Sequence, residues 1–220
     1  YSIPSKFSKN ESYIGSNSRK VKVKLYTIGF QSKQIRQARI ACIDGAYNTS
    51  VMNFVISPFS KFNAPFFGAD FVTLPNGHLI AIDLQPVLKS DLAHTTKVWE
   101  RLKPIYNKWS NLLPGGGPIP NSAKQYFSAG FLWTRIPLGA EGDQLIFNVL
   151  APAYKDYLSL YLDILGDAEE VDSNYSLELL KGQKEYMNYR SEKDPARGML
   201  TRFFGKDWTE SYISKVLFNL

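Results

Sequence analysis

The sequence is poor in the side chains that hold metals and build covalent frameworks. One cysteine, Cys42, and two histidines, His78 and His94, are spread over 220 residues. A lone cysteine excludes an internal disulfide and every iron–sulfur cluster held by several cysteines. No Cys/His cluster has metal-ligand spacing. With so few histidines no Ser-His-Asp or Cys-His order stands out, which removes the hydrolytic triads. No apolar run approaches the roughly 18 residues that a membrane-spanning helix needs. The glycine-rich run from Leu113 to Pro120 lacks the Lys-Ser/Thr pair and the strand–helix context of a phosphate-binding loop. It reads as a long turn.

The chain is 44% hydrophobic and 21% charged, the balance of a globular protein. Its length suits one domain, residues 1–220, with residues 1–20 as a polar N-terminal arm. The sequence starts at Tyr1, so targeting or upstream sequence is expected before it. Aromatics are abundant: 13 Tyr, 14 Phe and 4 Trp serve a thick core or a pocket for a large flat ligand. The formal charge is +6, and residues 1–40 hold nine Lys/Arg against the single acid Glu11. That excess reads as a solvated basic face or as a docking surface for an acidic protein. Nucleic acid finds no support, because no zinc-finger, recognition-helix or ribonucleoprotein motif is present.

The hydrophobic pattern runs from strands to helices. Val21 to Thr27 alternates and reads as an edge strand. Residues 36–43 and 50–57 form a pair around Asp44-Gly45-Ala46, and 68–74 with 78–84 form a hairpin across Pro75-Asn76-Gly77. Close spacing predicts an antiparallel meander, because parallel neighbours need longer crossovers. Residues 129–137 add a strand with Phe131, Trp133 and Arg135 facing one way. Helices are expected over 94–110, 142–165, 176–190, 195–204 and 208–217. In 142–165 one side carries Phe147, Leu150, Tyr154, Leu158, Tyr161 and Leu165, and Asp207 and Glu210 have capping-box spacing for the last helix.

Two acids stand inside apolar strands, Asp70 and Asp83. An ionised carboxylate loses its hydration on burial, so each is either paired or lines a cavity whose ligand needs protons. Pattern alone does not say whether they face each other. Asn53 sits in a third apolar strand, where an amide must find partners in the backbone or in a ligand. Asp194 followed by Pro195 reads locally as a helix cap, with Arg190, Lys193 and Arg197 giving the segment either an anion-binding character or a solvated face.

Several motifs in order carry a resemblance: Pro65-Phe66-Phe67-Gly68-Ala69-Asp70, Asp83-Leu84-Gln85-Pro86, Tyr126 to Trp133, Asp194-Pro195-Ala196-Arg197-Gly198 and the ending Val216 to Leu220. From about residue 20 onward the chain resembles the ferredoxin-dependent bilin reductases. The resemblance implies an α/β fold, a three-layer α/β/α sandwich with a central antiparallel sheet and an open-chain tetrapyrrole between the sheet and the C-terminal helices. It implies no bound cofactor. Electrons come one at a time from external reduced ferredoxin, an acidic and transient partner, and the protein supplies the protons. It further implies a monomer in the cyanobacterial cytoplasm or an algal plastid.

By the same resemblance, Asp70 is the central-sheet proton donor and Asp194 the acid over the other bilin face that serves A-ring reduction. Arg135 pairs with a bilin propionate, with Arg197 and Ser128 as weaker candidates. Asn53 and Ala41 stand where the phycocyanobilin-forming member has a histidine and a glutamate, which argues against that four-electron reaction. The implied substrate is 15,16-dihydrobiliverdin, reduced by two electrons at the A-ring diene. A sister activity on biliverdin and a non-catalytic tetrapyrrole-binding protein remain as alternatives.

Overall fold

A computed structural model describes residues 2–15, 20–46 and 48–219. Seven strands follow one another without a crossover. They are β1 (Lys9–Ile14), β2 (Val21–Phe30), β3 (Ile35–Asp44), β4 (Ser50–Pro58), β5 (Phe66–Leu74), β6 (Gly77–Gln85) and β7 (Leu132–Ile136). Their order in the sheet is their order in the chain, and every pair is antiparallel. The β5–β6 turn is tight: Leu74 pairs with Gly77, whose φ of +138° suits glycine alone. A Cβ there would also stand 2.9 Å from the Ile136 carbonyl oxygen.

The helices are α1 (Ser5–Ser8), α2 (Leu92–Ser110), α3 (Asn121–Lys124), α4 (Ala140–Leu145), α5 (Ala151–Gly166), α6 (Ser173–Lys193), α7 (Arg197–Phe204) and α8 (Lys206–Tyr212). On one side of the sheet Phe67, Ala69, Ile80, Ile82 and Leu132 pack against Val98 and Leu102 of α2 and Tyr157 and Tyr161 of α5. On the other side Val23, Leu25 and Ile43 meet Leu200, Phe203, Tyr212 and Val216, while Phe66 meets Tyr186 and Met187 of α6. The three-layer α/β/α arrangement is therefore present, with the central antiparallel sheet in the middle.

Four expectations need correction. The N-terminal arm is not all loop: α1 buries Phe7, and β1 pairs along its length with β2. Val21–Phe30 is accordingly the second strand, and β1 is the edge. The long helix over 142–165 contains a π-helical turn, Ile146–Leu150, between α4 and α5. That turn adds a residue and shifts the apolar stripe, which turns Phe147 outward to 79% exposure. The last helix starts at Lys206 behind Gly205, so Asp207 is not its cap, and Glu210 pairs instead with Arg197. Leu220, at the end of the C-terminal motif, lies outside the described residues.

Both histidines have structural explanations. His94 is 2% exposed in the first turn of α2. Its Nε2 accepts the Val87 N–H at 3.1 Å, which places the ring proton on Nδ1, donated to Asn63 Oδ1 at 2.6 Å. Burial holds its pKa down at about 4. His78 shares a 3.0 Å hydrogen bond with Thr73 beside the hairpin turn.

Candidate functional site

Directly opposed residues in neighbouring strands share a face of the sheet. One such row reads Thr27, Ala41, Asn53, Asp70, Ala81, Trp133 across β2 to β7. The next row toward the hairpin turn includes Val72, Leu79 and Arg135. Both rows face the layer of α6, α7 and α8. The opposite face of the same strands is closed: Ala69, Ile80, Ile82, Leu132 and Ile136 are at most 2% exposed. On the C-terminal side Asp70, Val72, Leu79, Ala81 and Trp133 are only half-buried, and Arg135 is exposed. The helices of this layer leave an apolar floor open above β5, β6 and β7. Strands lie about 4.8 Å apart, so Asp70 and the β7 side chains bracket a floor roughly 10 Å wide.

Asp70 stands at one side of this floor. Asn53, directly opposite on β4, donates from Nδ2 to Asp70 Oδ1. The amide of Asn53 is thus fixed by the acid. Above them α6 ends at Asp194, whose Oδ1 accepts the Ala196 N–H at 2.8 Å. The local capping reading of Asp194 therefore holds in part, although α7 itself begins only at Arg197. Burial raises the Asp194 pKa, and the charge of Asp70 raises it further. Arg190, the Ala196 N–H and Arg39 act in the opposite direction. The charge of Asp70 is thus felt at Asp194.

Arg190 is the member of the site that sequence reasoning missed. It lies one helical turn before Asp194, is half-buried, and its guanidinium stands over the Phe218 ring at 5.7 Å. Burial works against its charge, but Tyr186, Asp70 and Asp194 outweigh that and hold its pKa above the ordinary value. The isolated helix gives no sign of this, because the acid it meets comes from β5, far away in sequence.

Arg135 lies on the far side of the floor. Its Nε donates to the Gly116 carbonyl at 2.8 Å, and Trp133 Nε1 donates to the Gly117 carbonyl at 3.2 Å. The glycine-rich turn is a backbone strap over β7. A Cβ at Gly116 would come 2.1 Å from Trp133 Cδ1, so only glycine permits the approach. The terminal nitrogens of Arg135 have no partner among the described residues and can take a carboxylate as a two-pronged donor. Cavities of about 260 Å³ beside Trp133 and about 210 Å³ beside Arg135 flank the strand. Neither of these two cavities is lined by Asp70 or Asp194.

Three side chains have other employment. Ser128 donates its hydroxyl to Asp83 Oδ1, its N–H donates to Asp83 Oδ2 at 2.9 Å, and its Oγ accepts the Gly130 N–H at 3.0 Å. That leaves Ser128 8% exposed, with its hydroxyl committed to Asp83 rather than turned to the floor. Asp83 shares the face of Asp70 but stands one row away, opposite Gly68, and anchors the segment leading into β7. Arg197 pairs with Glu210 and donates to the Ser191 carbonyl, so it ties α7 to α8 and to the end of α6 rather than facing the floor.

The arrangement offers a carboxyl on each of two elements, an arginine whose charge interacts with both, an apolar floor and, beyond it, a guanidinium whose terminal nitrogens are unpaired among the described residues. It fits a long flat ligand that carries carboxylates and takes up protons. Among the described residues no group of three or more His, Cys, Asp or Glu could hold a metal ion. Among the described residues no helix is long and apolar enough to cross a membrane.

Comparison with known proteins agrees with this chemistry. A family model described as ferredoxin-dependent bilin reductase matches residues 1–219. The chain is 58% identical to phycoerythrobilin:ferredoxin oxidoreductase from Prochlorococcus marinus (strain MIT 9211), covering all of this chain and 86% of that protein. It is 56% identical to the protein of the same name from Synechococcus sp. (strain RCC307), over all of this chain and 84% of that one. Among solved structures, phytochromobilin synthase from tomato in complex with biliverdin superposes with a TM-score of 0.83 at 31% identity. That superposition covers 94% of this chain and 73% of the tomato protein.

Proposed function

The chain belongs to the ferredoxin-dependent bilin reductases, and from that premise we propose that it reduces the A-ring diene of 15,16-dihydrobiliverdin to phycoerythrobilin. Two electrons arrive singly from reduced ferredoxin, and two protons complete the reduction through bilin radicals. The observation that carries this reading is the 58% identity, over the whole chain, to a protein named for that product. The site supplies its chemistry. Protonating the bilin raises its electron affinity, so proton supply and electron entry reinforce each other. Asp70 protonates the tetrapyrrole from the sheet side, and Asp194 delivers the A-ring proton from the helical side. Holding the conjugated chain flat on the floor of Ala81, Leu79 and Trp133 confines proton delivery to one end. Arg135 holds a propionate. Ala41 and Asn53 share the Asp70 row, and neither offers the acid or imidazole that the four-electron reaction uses. Cyanobacterial relatives favour a cyanobacterial cytoplasm or an algal plastid as its compartment.

The test offers 15,16-dihydrobiliverdin and biliverdin separately, with reduced ferredoxin and without oxygen. Products are identified by retention time and absorption. Phycoerythrobilin from the first substrate and poor conversion of the second are expected. Efficient conversion of biliverdin would replace this reading with a sister activity. A spectral shift without any product would replace it with a binding protein.

The strap over β7 gives a second expected result. Gly116→Ala cannot keep its contact with Trp133, so Arg135 loses the carbonyl that aims it. A hydrogen bond to a charged group contributes about 1.5–3 kcal/mol, so bilin affinity should fall by roughly ten-fold or more. Thermal unfolding should change little, because the strap lies outside the main core. A bilin titration with wild-type affinity would show that Arg135 does not hold the substrate.

A further inference from the structure

We propose that Phe131 is a positioning residue that fixes the indole of Trp133 as an end stop for the bilin, and so sets which carbon stands against Asp194. The inference rests on the placement of the bilin on the floor of Ala81, Leu79 and Trp133. That floor is flat and apolar, so a conjugated chain slides along it at little cost. Arg135 grips one flexible arm of the ligand and does not block its ends. A slip by one ring would offer Asp194 a different carbon. The register therefore needs a rigid wall.

The aromatic rings at the start of β7 form that wall. Phe127 and Phe131 stack with centroids 3.9 Å apart and planes 3° from parallel. Phe131 in turn lies 6.0 Å from Trp133, with planes 18° apart. All three rings are half-buried, so the column is not part of the closed core. The core side of β7 is supplied by Leu132, Thr134 and Ile136, each at most 2% exposed. The turn that brings Phe127 against Phe131 is locked. Ser128 is bonded to Asp83 through both its hydroxyl and its N–H, and Tyr157 donates to the Gly130 carbonyl at 2.7 Å. A Cβ at Gly130 would stand 2.5 Å from Leu102 Cδ2, so the turn is pressed onto α2. The indole is held a second time by the strap, through the Nε1 bond to Gly117 and the close approach of Gly116. Phe131 and Trp133 both line the cavity of about 260 Å³. Without the Phe131 ring the indole has room to swing into that space and away from the floor.

The test is Phe131→Leu, which keeps an apolar side chain and removes the ring. Bound 15,16-dihydrobiliverdin is followed by visible circular dichroism without ferredoxin, and products are then identified with reduced ferredoxin. A free open-chain tetrapyrrole averages over both senses of twist, whereas a held end ring selects one. Loss of one aromatic stack changes the ratio of held to released indole by roughly two- to ten-fold, so the ellipticity should fall about two-fold or more. A second reduced bilin should appear beside the wild-type product. Phe131→Tyr keeps the ring and should restore both signals. Ile80→Val, on the opposite face of the sheet, should lower thermal stability while leaving both in place. Wild-type ellipticity with a single product in Phe131→Leu would overturn the proposal, and so would equal losses in Ile80→Val. Trp133 fluorescence, taken as the difference between wild type and Trp133→Phe, should be quenched by the bilin. No quenching would overturn the floor placement and this proposal with it. The dichroism and fluorescence need no turnover, so they read the inference even if product analysis replaces the proposed reaction.

Discussion

Exchange of Asp194 for asparagine is expected to lower phycoerythrobilin formation by about 10²–10⁴-fold, the contribution of one positioned general acid. Asp70→Asn is expected to do the same. Bilin binding should stay within a few-fold in both, because the apolar floor and Arg135 are untouched. The fold should also survive. At position 70 the new amide can still turn an oxygen toward Asn53 Nδ2. At position 194 it can still accept the Ala196 N–H. Each exchange removes one of the two carboxylates that face Arg190, which destabilises a partly buried cation but leaves it the other acid. The two variants should differ in where they stall. Asp70→Asn should bind bilin with an altered spectrum, since the sheet-side proton is missing before any electron arrives. Asp194→Asn should bind with a near wild-type spectrum and accumulate a reduced, incompletely protonated species. Anaerobic turnover with chromatographic product analysis decides the matter. Wild-type rates in both variants would remove the acids from the mechanism, and loss of folding would mark them as structural.

The sequence made the sheet legible because its strands alternate and its turns are short. Six strands in sequential order, β2 to β7, follow from that alternation. β1 escaped notice for a physical reason. Its residues Lys9 to Ile14 are mostly polar, and an edge strand needs little apolar content when its pairing with β2 supplies the backbone bonds. The π-helical turn at Ile146–Leu150 is equally silent, because a period-3.6 reading cannot register one inserted residue. Asp70 and Asn53 were visible as polar residues in apolar runs. Their mutual hydrogen bond needed the register, which pairs them directly. The partners of Ser128 and Arg197, Asp83 and Glu210, were not legible because they are set by tertiary packing rather than by the local motif. Arg190 shows the converse: a residue that reads as solvated helix surface becomes central once the end of α6 is laid over β5.

A pH effect on stability should separate two buried groups that conceal each other. Asp83 is 1% exposed; burial pushes its pKa from 3.8 up to about 7, with the bonds from Ser128 and Leu84 pulling the other way. His94 is 2% exposed and is pushed from 6.5 down to about 4. Between roughly pH 4 and 6.5 the folded protein holds a proton on Asp83 that the unfolded chain has lost. Over the same range it lacks a proton on His94 that the unfolded chain has gained. The counts of bound protons match, so these two groups together leave stability flat there. Asp83→Asn keeps an acceptor for the Ser128 N–H and abolishes one side of the balance. Only His94 then titrates, the unfolded chain binds more protons, and stability should rise with pH from about 4 to 6.5. At 1.36 kcal/mol per pKa unit the rise is about 3 kcal/mol. His94→Gln should show the opposite slope: stability present below about pH 4 is lost as pH rises through about 7, by about 4 kcal/mol. Urea unfolding of the three proteins at several pH values in this window reads the slopes directly. Equal slopes in wild type and Asp83→Asn would mean that Asp83 is ionised in the fold, with Ser128 outweighing its burial.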